Sequence, residues 1–219
     1  MIFLPDLVEE PVLAFDRRRR TNAVLIADVA RLGVYLHNDM RIWDPTYGMN
    51  GGFWKVWRPD RLVATDGNPE LDPAAPDGVW DCRAPIEAAA FDAVTFDPPY
   101  KLNGRPSHPD KPYGVHTTTT RDGRHTFMRE GLAGCVAAVK PGGYVLVKCQ
   151  VQVNGGRKWW QPRMVAEWGE ALGCVAVDEF QFWSYRAQPK DPDRKQDHAR
   201  VTLSTLVVLR LDRPATLFG

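Results

Sequence analysis

The segment FDAVTFDPPY, residues 91–100, decides the fold class. Residues 91–97 are mostly apolar or β-branched, a composition that predicts a buried β-strand. The two prolines that follow lack the backbone N–H that a strand ladder requires, so we expect the chain to leave the sheet at Pro98 along a fixed path. The corner therefore brings the Asp97 carboxylate, backbone carbonyl groups and the Tyr100 ring together at the end of a strand.

This corner suits a planar base that carries an amino group. Asp97 and the Pro98 carbonyl oxygen would accept hydrogen bonds from the amine, and Tyr100 would stack on the ring. The alternative is an acidic turn followed by a buried tyrosine, which D-P-P-Y by itself would also fit. A second site earlier in the chain favours the binding-site interpretation.

The second site is RIWDPTYGMNGGFW, residues 41–54. A predicted strand ends at Asp44, and a glycine-rich turn that includes Gly48 and Gly51 follows it. Glycines allow a ligand to approach the backbone closely, and a helix start supplies unpaired N–H groups. Asp66 ends the next predicted strand, at a position where a carboxylate commonly binds ribose hydroxyls.

A third acidic residue, Asp81, ends a third predicted strand beside Cys82. Any one of these acids alone is better explained by helix capping or solvation. Three acids at the ends of three successive strands indicate a ligand cleft.

The rest of the chain alternates apolar runs with segments of helical spacing. Such alternation predicts an α/β fold with a largely parallel sheet covered on both faces. The last two strands are joined without a helix, so one of them should run antiparallel. The predicted strands are 41–45, 62–66, 78–82, 91–97, 143–150, 174–183 and 204–211, and the predicted helices are 22–33, 51–58, 84–90, 125–139 and 161–172.

With both sites in place, residues 21–211 resemble the S-adenosylmethionine-dependent amino-methyltransferases of the DPPY type, in their compact phage or bacterial form. The resemblance implies a Rossmann-like class I methyltransferase with three α/β/α layers and a single domain over residues 1–219. The implied sheet is mostly parallel and seven-stranded, with strand order 3-2-1-4-5-7-6 and strand 7 antiparallel. That order places the strand ending at Asp44 beside the strand ending at Asp97, at the point where ligands bind.

The resemblance also implies the reaction, which is methyl transfer from S-adenosylmethionine to the N6 amino group of a flipped adenine in DNA. D-P-P-Y, rather than S-P-P-Y, is the reason for choosing adenine N6 over cytosine N4. The turn Gly48-Met49-Asn50-Gly51 departs from the usual G-x-G, either because Asn50 replaces a glycine or because the turn is one residue longer. The implied catalytic residues are Asp97, Pro98, Pro99 and Tyr100, and the implied cofactor-binding residues are Thr21, Asn22, Asp44, Pro45, Tyr47, Gly48, Asn50, Gly51, Asp66, Asp81, Cys82 and Asp97.

Target recognition is assigned to two long segments without periodicity, residues 101–124 and 184–203, both rich in cations. The net charge of +1 excludes a strongly basic coat, so contacts with nucleic acid must come from local patches. DNA is preferred over RNA as the partner. Trp159 and Trp160 are interpreted as a packed entry into a helix. The candidate nucleic-acid contacts are Lys101, Arg105, Arg121, Arg124, Trp183, Arg186, Lys195, His198 and Arg200.

Composition excludes several other classes of protein. The chain is 44% hydrophobic and 25% charged, close to globular averages. Its four cysteines form no C-x-x-C pair, so we predict no metal site and no disulfide framework, which fits a reducing cytoplasm. The N-terminal stretch does not have the order of a signal peptide, and no run reaches the ~18 apolar residues of a membrane span.

Three alternatives stay open at this point, as does the oligomeric state. The nearest is an RNA methyltransferase acting on adenine N6 or guanine N2 in tRNA or rRNA. The second is a catalytically silent, methyltransferase-like subunit that binds nucleic acid, which the altered glycine turn permits. A nicotinamide-dependent dehydrogenase is third, and it leaves D-P-P-Y unexplained.

Overall fold

The computed structural model describes residues 21–71, 73–102, 120–183 and 203–212. Within these ranges the chain forms three helices and eight strands. The helices are α1 (Asn22–Arg31), α2 (Arg121–Ala138) and α3 (Gln161–Ala171). The strands are β1 (Arg41–Asp44), β2 (Arg61–Ala64), β3 (Phe91–Phe96), β4 (Val139–Cys149), β5 (Gln152–Asn154), β6 (Arg157–Trp159), β7 (Cys174–Trp183) and β8 (Leu203–Leu211).

Six strands form one sheet in the order β2-β1-β3-β4-β8-β7. Strands β1 to β4 are mutually parallel, and β8 runs antiparallel to both of its neighbours, as predicted for one of the last two strands. Strands β5 and β6 pair with each other as a separate antiparallel hairpin, which the sequence analysis did not predict. Within the described ranges, no helix is long and apolar enough to cross a membrane.

Alternating side chains of the strands pack into two cores, one on each face of the sheet. Helix α1 covers one face, where Leu25 and Ile26 pack with Leu146. Helices α2 and α3 cover the other face, where Leu132 and Val165 belong to the larger core cluster. This is the three-layer arrangement expected from the alternation of strands and helices.

The predicted strand at 78–82 is wrong, so the described sheet has six strands rather than seven. In this segment only Val79 forms a β-bridge, which is parallel and joins it to Asp66. The segment then turns, because the Asp81 carboxylate accepts hydrogen bonds from the backbone N–H and the side chain of Arg83. Apart from this single parallel bridge, the sheet ends at β2.

Two predicted helices, 51–58 and 84–90, are turns. In the first, the indoles of Trp54 and Trp57 donate hydrogen bonds to Asp44 and Asn38. In the second, backbone N–H groups of Ala89 and Ala90 donate to the last carbonyls of α2 instead of forming their own helix. Tertiary hydrogen bonds therefore outweigh helical propensity in both segments.

Strand direction places the candidate residues at one edge of the sheet. Strands β1, β2, β3 and β4 are parallel, so their carboxyl ends meet. Register pairs Phe96 with Val147, and the residues that follow them, Asp97 and Lys148, are therefore neighbours.

Candidate functional site

The glycine-rich turn and the D-P-P-Y corner are joined through the Thr46 hydroxyl. Thr46 Oγ1 accepts a hydrogen bond from the Asp97 backbone N–H at 2.8 Å. The same hydroxyl donates to Asp44 Oδ1 at 3.3 Å, and the Thr46 N–H donates to that oxygen at 2.9 Å. The two segments singled out in the sequence are thus in direct contact, as their predicted strand positions required.

Asp44 is buried at the end of β1, and its carboxylate accepts hydrogen bonds from residues 46 and 54 on either side of the glycine-rich turn. Its Oδ2 accepts a hydrogen bond from the Trp54 indole at 2.6 Å. Burial raises the pKa of Asp44 from its usual 3.8 to about 7, although the hydrogen bonds from Trp54 and Thr46 oppose the shift. Near neutral pH this carboxyl group changes its charge inside the protein.

Asp44 should therefore make stability fall as pH rises. An acid whose pKa is higher in the folded state binds its proton more tightly there, so its contribution is lost between about pH 4 and pH 7. The difference between a pKa of 3.8 and one of about 7 corresponds to about 4 kcal/mol. We expect the free energy of unfolding of the wild type, relative to Asp44→Asn, to fall by up to that amount over this range. Urea titrations at several pH values measure the difference, and parallel curves for the two proteins would contradict it.

Asp97 forms an ion pair with Lys148 from the neighbouring strand β4. Lys148 Nζ lies 3.1 Å from Asp97 Oδ1 and 3.2 Å from Oδ2, and it also donates to the Tyr100 hydroxyl at 3.1 Å. The Lys148 side chain is 7% exposed and that of Asp97 is 20% exposed. The ammonium lies 5.0 Å from the centroid of the Tyr100 ring. Lys148 therefore contacts both polar side chains of the corner.

The two charges of this pair depend on each other. Burial raises the pKa of Asp97, and the Lys148 ammonium opposes that rise. Burial alone would lower the pKa of Lys148, but the charge of Asp97 and the hydrogen bond to Tyr100 reverse the effect and raise it. Lys148 thus stays protonated and favours the ionised form of Asp97.

Side chains from three elements hold the backbone of the corner. Arg124 Nη1 lies 3.5 Å from the Pro99 carbonyl oxygen, and Gln161 Nε2 donates to the Tyr100 carbonyl oxygen at 2.8 Å. Together with Thr46 on Asp97, these contacts restrain the corner from α2, α3 and the glycine-rich turn. Such restraint is what a preorganised site requires.

Asp66 holds the glycine-rich turn from the end of β2. Its Oδ2 accepts a hydrogen bond from the Gly48 N–H at 2.9 Å, and its Oδ1 accepts one from the Asn68 N–H at 2.9 Å. Burial raises the pKa of Asp66, and these two bonds oppose the shift. Gly51 has a φ of +55°, and a Cβ there would lie 2.5 Å from the Tyr47 ring, so only glycine fits.

The other predicted cofactor residues are less closely grouped. Asn22 Nδ2 lies 3.4 Å from Asp97 Oδ2, whereas the Thr21 hydroxyl caps α1 by accepting from the Val24 N–H. Asp81 is on the surface and its carboxylate is paired with Arg83. Cys82 is buried in the core, Pro45 is buried behind the turn, and Asn50 is at its exposed tip.

The predicted nucleic-acid contacts are described only in part. Lys101 is exposed directly after the corner, and Arg121 is at the start of α2 with its guanidinium on Asp122. Arg124 is 4% exposed, so its position favours support of the corner over a phosphate contact. The described part of Trp183 is its backbone in β7. Arg105, Arg186, Lys195, His198 and Arg200 lie outside the described residues, with most of the loops 101–124 and 184–203.

Lys148 was not predicted from the sequence, although one feature of the sequence indicates it. Lys148 is the single charged residue of the apolar run GYVLVKC, residues 143–149. A strand buried on both faces excludes an unpaired charge, so such a lysine requires a carboxylate partner.

Within the described residues, no three His, Cys, Asp or Glu side chains are grouped as a metal site would need. The four cysteines are free and buried.

Comparison with known proteins assigns the fold. No protein-family model matches the chain, and no curated protein sequence matches it. Solved structures do match it. A chain from the complex between the Trm112 methyltransferase activator and a methyltransferase of Haloferax volcanii has a TM-score of 0.54 at 12% identity, over 88% of this chain and 90% of that one.

Two further structures agree with it. A methyltransferase from Bacillus halodurans C-125 has a TM-score of 0.53 at 12% identity, over 86% of this chain and 99% of that one. The N-methyltransferase NodS from Bradyrhizobium japonicum WM9 has a TM-score of 0.51 at 13% identity, over 87% and 94%. The chain has a Rossmann-like methyltransferase fold. At these identities the likeness concerns the fold alone, and a fold does not specify the chemistry of its site.

Proposed function

We propose that this protein transfers a methyl group from S-adenosylmethionine to the exocyclic amino group of a nucleobase, and that the base is adenine in DNA, methylated at N6. The observation that carries the proposal is the contact between the D-P-P-Y corner and the glycine-rich turn through Thr46. A donor bound at the turn and an acceptor bound at the corner would be adjacent. Proximity of this kind supplies much of the rate enhancement in a two-substrate transfer.

The residues at the turn fit the proposed cofactor. Among the described residues, nothing lies within 4 Å of where a Cβ would be at Gly48 or Gly52, which leaves space for a ligand against the backbone. The Asp66 carboxylate beside Gly48 is an acceptor of the kind that ribose hydroxyls use. Bound there, S-adenosylmethionine would supply an activated methyl group, so the protein needs no covalent nucleophile.

The corner supplies what an aromatic amine needs to react. The lone pair of such an amine is conjugated with the ring, so the amine is a poor nucleophile. Hydrogen bonds from the amine to Asp97 would favour a tetrahedral nitrogen and stabilise the positive charge that develops on it. Each carboxylate oxygen has a second lone pair, so Asp97 can accept from Lys148 and from the amine together. We infer that Lys148 is a positioning residue, which keeps Asp97 ionised and oriented.

Labelled S-adenosylmethionine incubated with unmethylated DNA or RNA tests the proposal. Digestion to nucleosides followed by mass spectrometry should show N6-methyladenine from DNA. Methylation of RNA only would replace DNA with RNA as the substrate class. Methylated cytosine or guanine would change the assigned base, and incorporation into neither polymer would overturn the proposal.

Asp66→Ala should weaken cofactor binding with little direct effect on the acceptor. The substitution removes a proposed ribose acceptor and also releases the Gly48 N–H that holds the turn. Loss of one charged hydrogen-bond partner costs about 1.5–3 kcal/mol, or roughly a 10- to 150-fold increase in dissociation constant. Calorimetric titration with S-adenosylhomocysteine measures the change. Asp77→Ala, which removes a carboxylate that accepts from the Ala64 N–H, is the control. Equal affinity in Asp66→Ala and the wild type would remove Asp66 from the site.

A further inference from the structure

A cluster of cations and indole rings borders the D-P-P-Y corner on the β5–β6 hairpin and the first turn of α3. We call it the hairpin surface and define it by Arg157, Lys158, Trp160 and Arg163. Lys158 Nζ lies 5.5 Å and Arg163 Cζ lies 5.2 Å from the centroid of the Trp160 ring. Trp160 is 47% exposed, so it is a surface residue as well as the start of a helix, contrary to the packed entry predicted from sequence.

The cations of this surface are concentrated and preordered. Residues 150–166 contain Arg157, Lys158 and Arg163 and no Asp or Glu. Arg157 Cζ lies 4.8 Å from the centroid of the Trp159 ring, and Arg121 Cζ lies 4.6 Å from it. Stacking on an indole restricts a long side chain in advance. A later contact with a ligand therefore costs less side-chain entropy. Arg121 is partly neutralised by Asp122, so the other three cations supply most of the charge.

Hydrogen bonds attach this surface to the corner. Asn154 Nδ2, in the hairpin, donates to the Leu102 carbonyl oxygen at 3.1 Å. Gln161 Nε2, beside Trp160, donates to the Tyr100 carbonyl oxygen at 2.8 Å. The hairpin and the start of α3, which carry the cations, are therefore bonded to the backbone of residues 100–102 through Asn154 and Gln161. A polymer reaching Asp97 with one base would have its neighbouring units near these cations.

We propose that the hairpin surface binds the phosphate backbone of the nucleic-acid strand that carries the target base. This inference rests on the proposed function. The occupant is chosen by charge: the stacked arginine and lysine side chains belong to residues 150–166, a stretch that contains no Asp or Glu, and such a stretch matches a regular polyanion. Phosphate contacts fix register without reading sequence. In a protein of net charge +1, a local patch is also where nucleic-acid affinity must come from.

The test is a triple variant, Arg157→Gln, Lys158→Gln and Arg163→Gln, with fluorescence anisotropy of a labelled DNA duplex at several salt concentrations. Removing three phosphate contacts should lower the slope of log Kd against log salt by about two to three. At roughly 0.1 M salt the affinity should fall about 10- to 100-fold. The KM for DNA should rise accordingly, with kcat at saturating DNA and the affinity for S-adenosylhomocysteine unchanged.

The matched control removes three cations from the opposite edge of the sheet. Arg31 ends α1, Arg61 begins β2, and Arg210 lies near the end of the antiparallel strand β8. Their replacement by glutamine should leave the salt slope unchanged. An equal loss in both triple variants would mean a net-charge effect and would overturn the inference.

Other outcomes separate this inference from the proposed function. If the wild type methylates DNA and the hairpin variant keeps its affinity and slope, the hairpin inference fails alone. If the wild type does not methylate nucleic acid, the proposed function fails in its own assay. Salt-sensitive binding of poly-glutamate, without binding of DNA, would assign the surface to an acidic protein.

Discussion

Replacing Asp97 with asparagine should reduce methyl transfer by about 10³-fold or more and leave cofactor affinity nearly unchanged. The amide has one acceptor oxygen in place of two and presents an N–H₂ group to the Lys148 ammonium, 3.1–3.2 Å from the present carboxylate. The one remaining oxygen cannot serve both the ammonium and the target amine in the same way, and the negative charge that would stabilise the developing cation is lost. Single-turnover transfer to DNA and calorimetric titration with S-adenosylhomocysteine measure the two effects separately.

Asp92→Asn is a matched control on the same strand. Asp92 also pairs with a lysine, Lys140, at 2.6 Å, but it is at the start of β3, at the other edge of the sheet.

Because Asp97→Asn leaves Lys148 buried without its counterion, the variant should also lose about 3–5 kcal/mol of stability. The double variant Asp97→Asn with Lys148→Met removes that unpaired charge. If the double variant is folded and active, Asp97 does not have the proposed role.

Replacing Lys148 with methionine should make methyl transfer strongly pH-dependent. Burial raises the pKa of Asp97, and the Lys148 charge opposes that rise. Without the ammonium, the pKa of Asp97 rises further, so the carboxylate takes up a proton at a higher pH than in the wild type. The acidic limb of the pH–rate profile should therefore move to higher pH, and activity should fall as pH is lowered through it.

Two further variants identify the cause. Lys148→Arg keeps the positive charge and should return the acidic limb toward its wild-type position. Lys140→Met removes a lysine from the other end of β4, where it pairs with Asp92, and should leave the profile unchanged. A profile for Lys148→Met that coincides with that of the wild type would show that Lys148 has only a structural role.

The sequence by itself determined the α/β class, the antiparallel direction of one of the last two strands and the position of the two turns that form the candidate site. These features follow from local patterns: apolar periodicity marks buried elements, and prolines and glycines mark where the backbone must leave them. The contact between the turns also follows, once the strands that end at Asp44 and Asp97 are neighbours.

Tertiary structure alone decided which side chains complete the site. Lys148 reaches Asp97 because the β3–β4 register pairs Phe96 with Val147, and a single sequence does not specify the register of two residues that are 51 positions apart. The failed strand at 78–82 has a local origin, because the exposed Asp81 carboxylate accepts from the Arg83 N–H two residues later and turns the chain. The burial of Arg124 was decided by a distant group, the Pro99 carbonyl oxygen, which lies 3.5 Å from its guanidinium. Local propensity amounts to tenths of a kcal/mol per residue, so such buried polar contacts outweigh it.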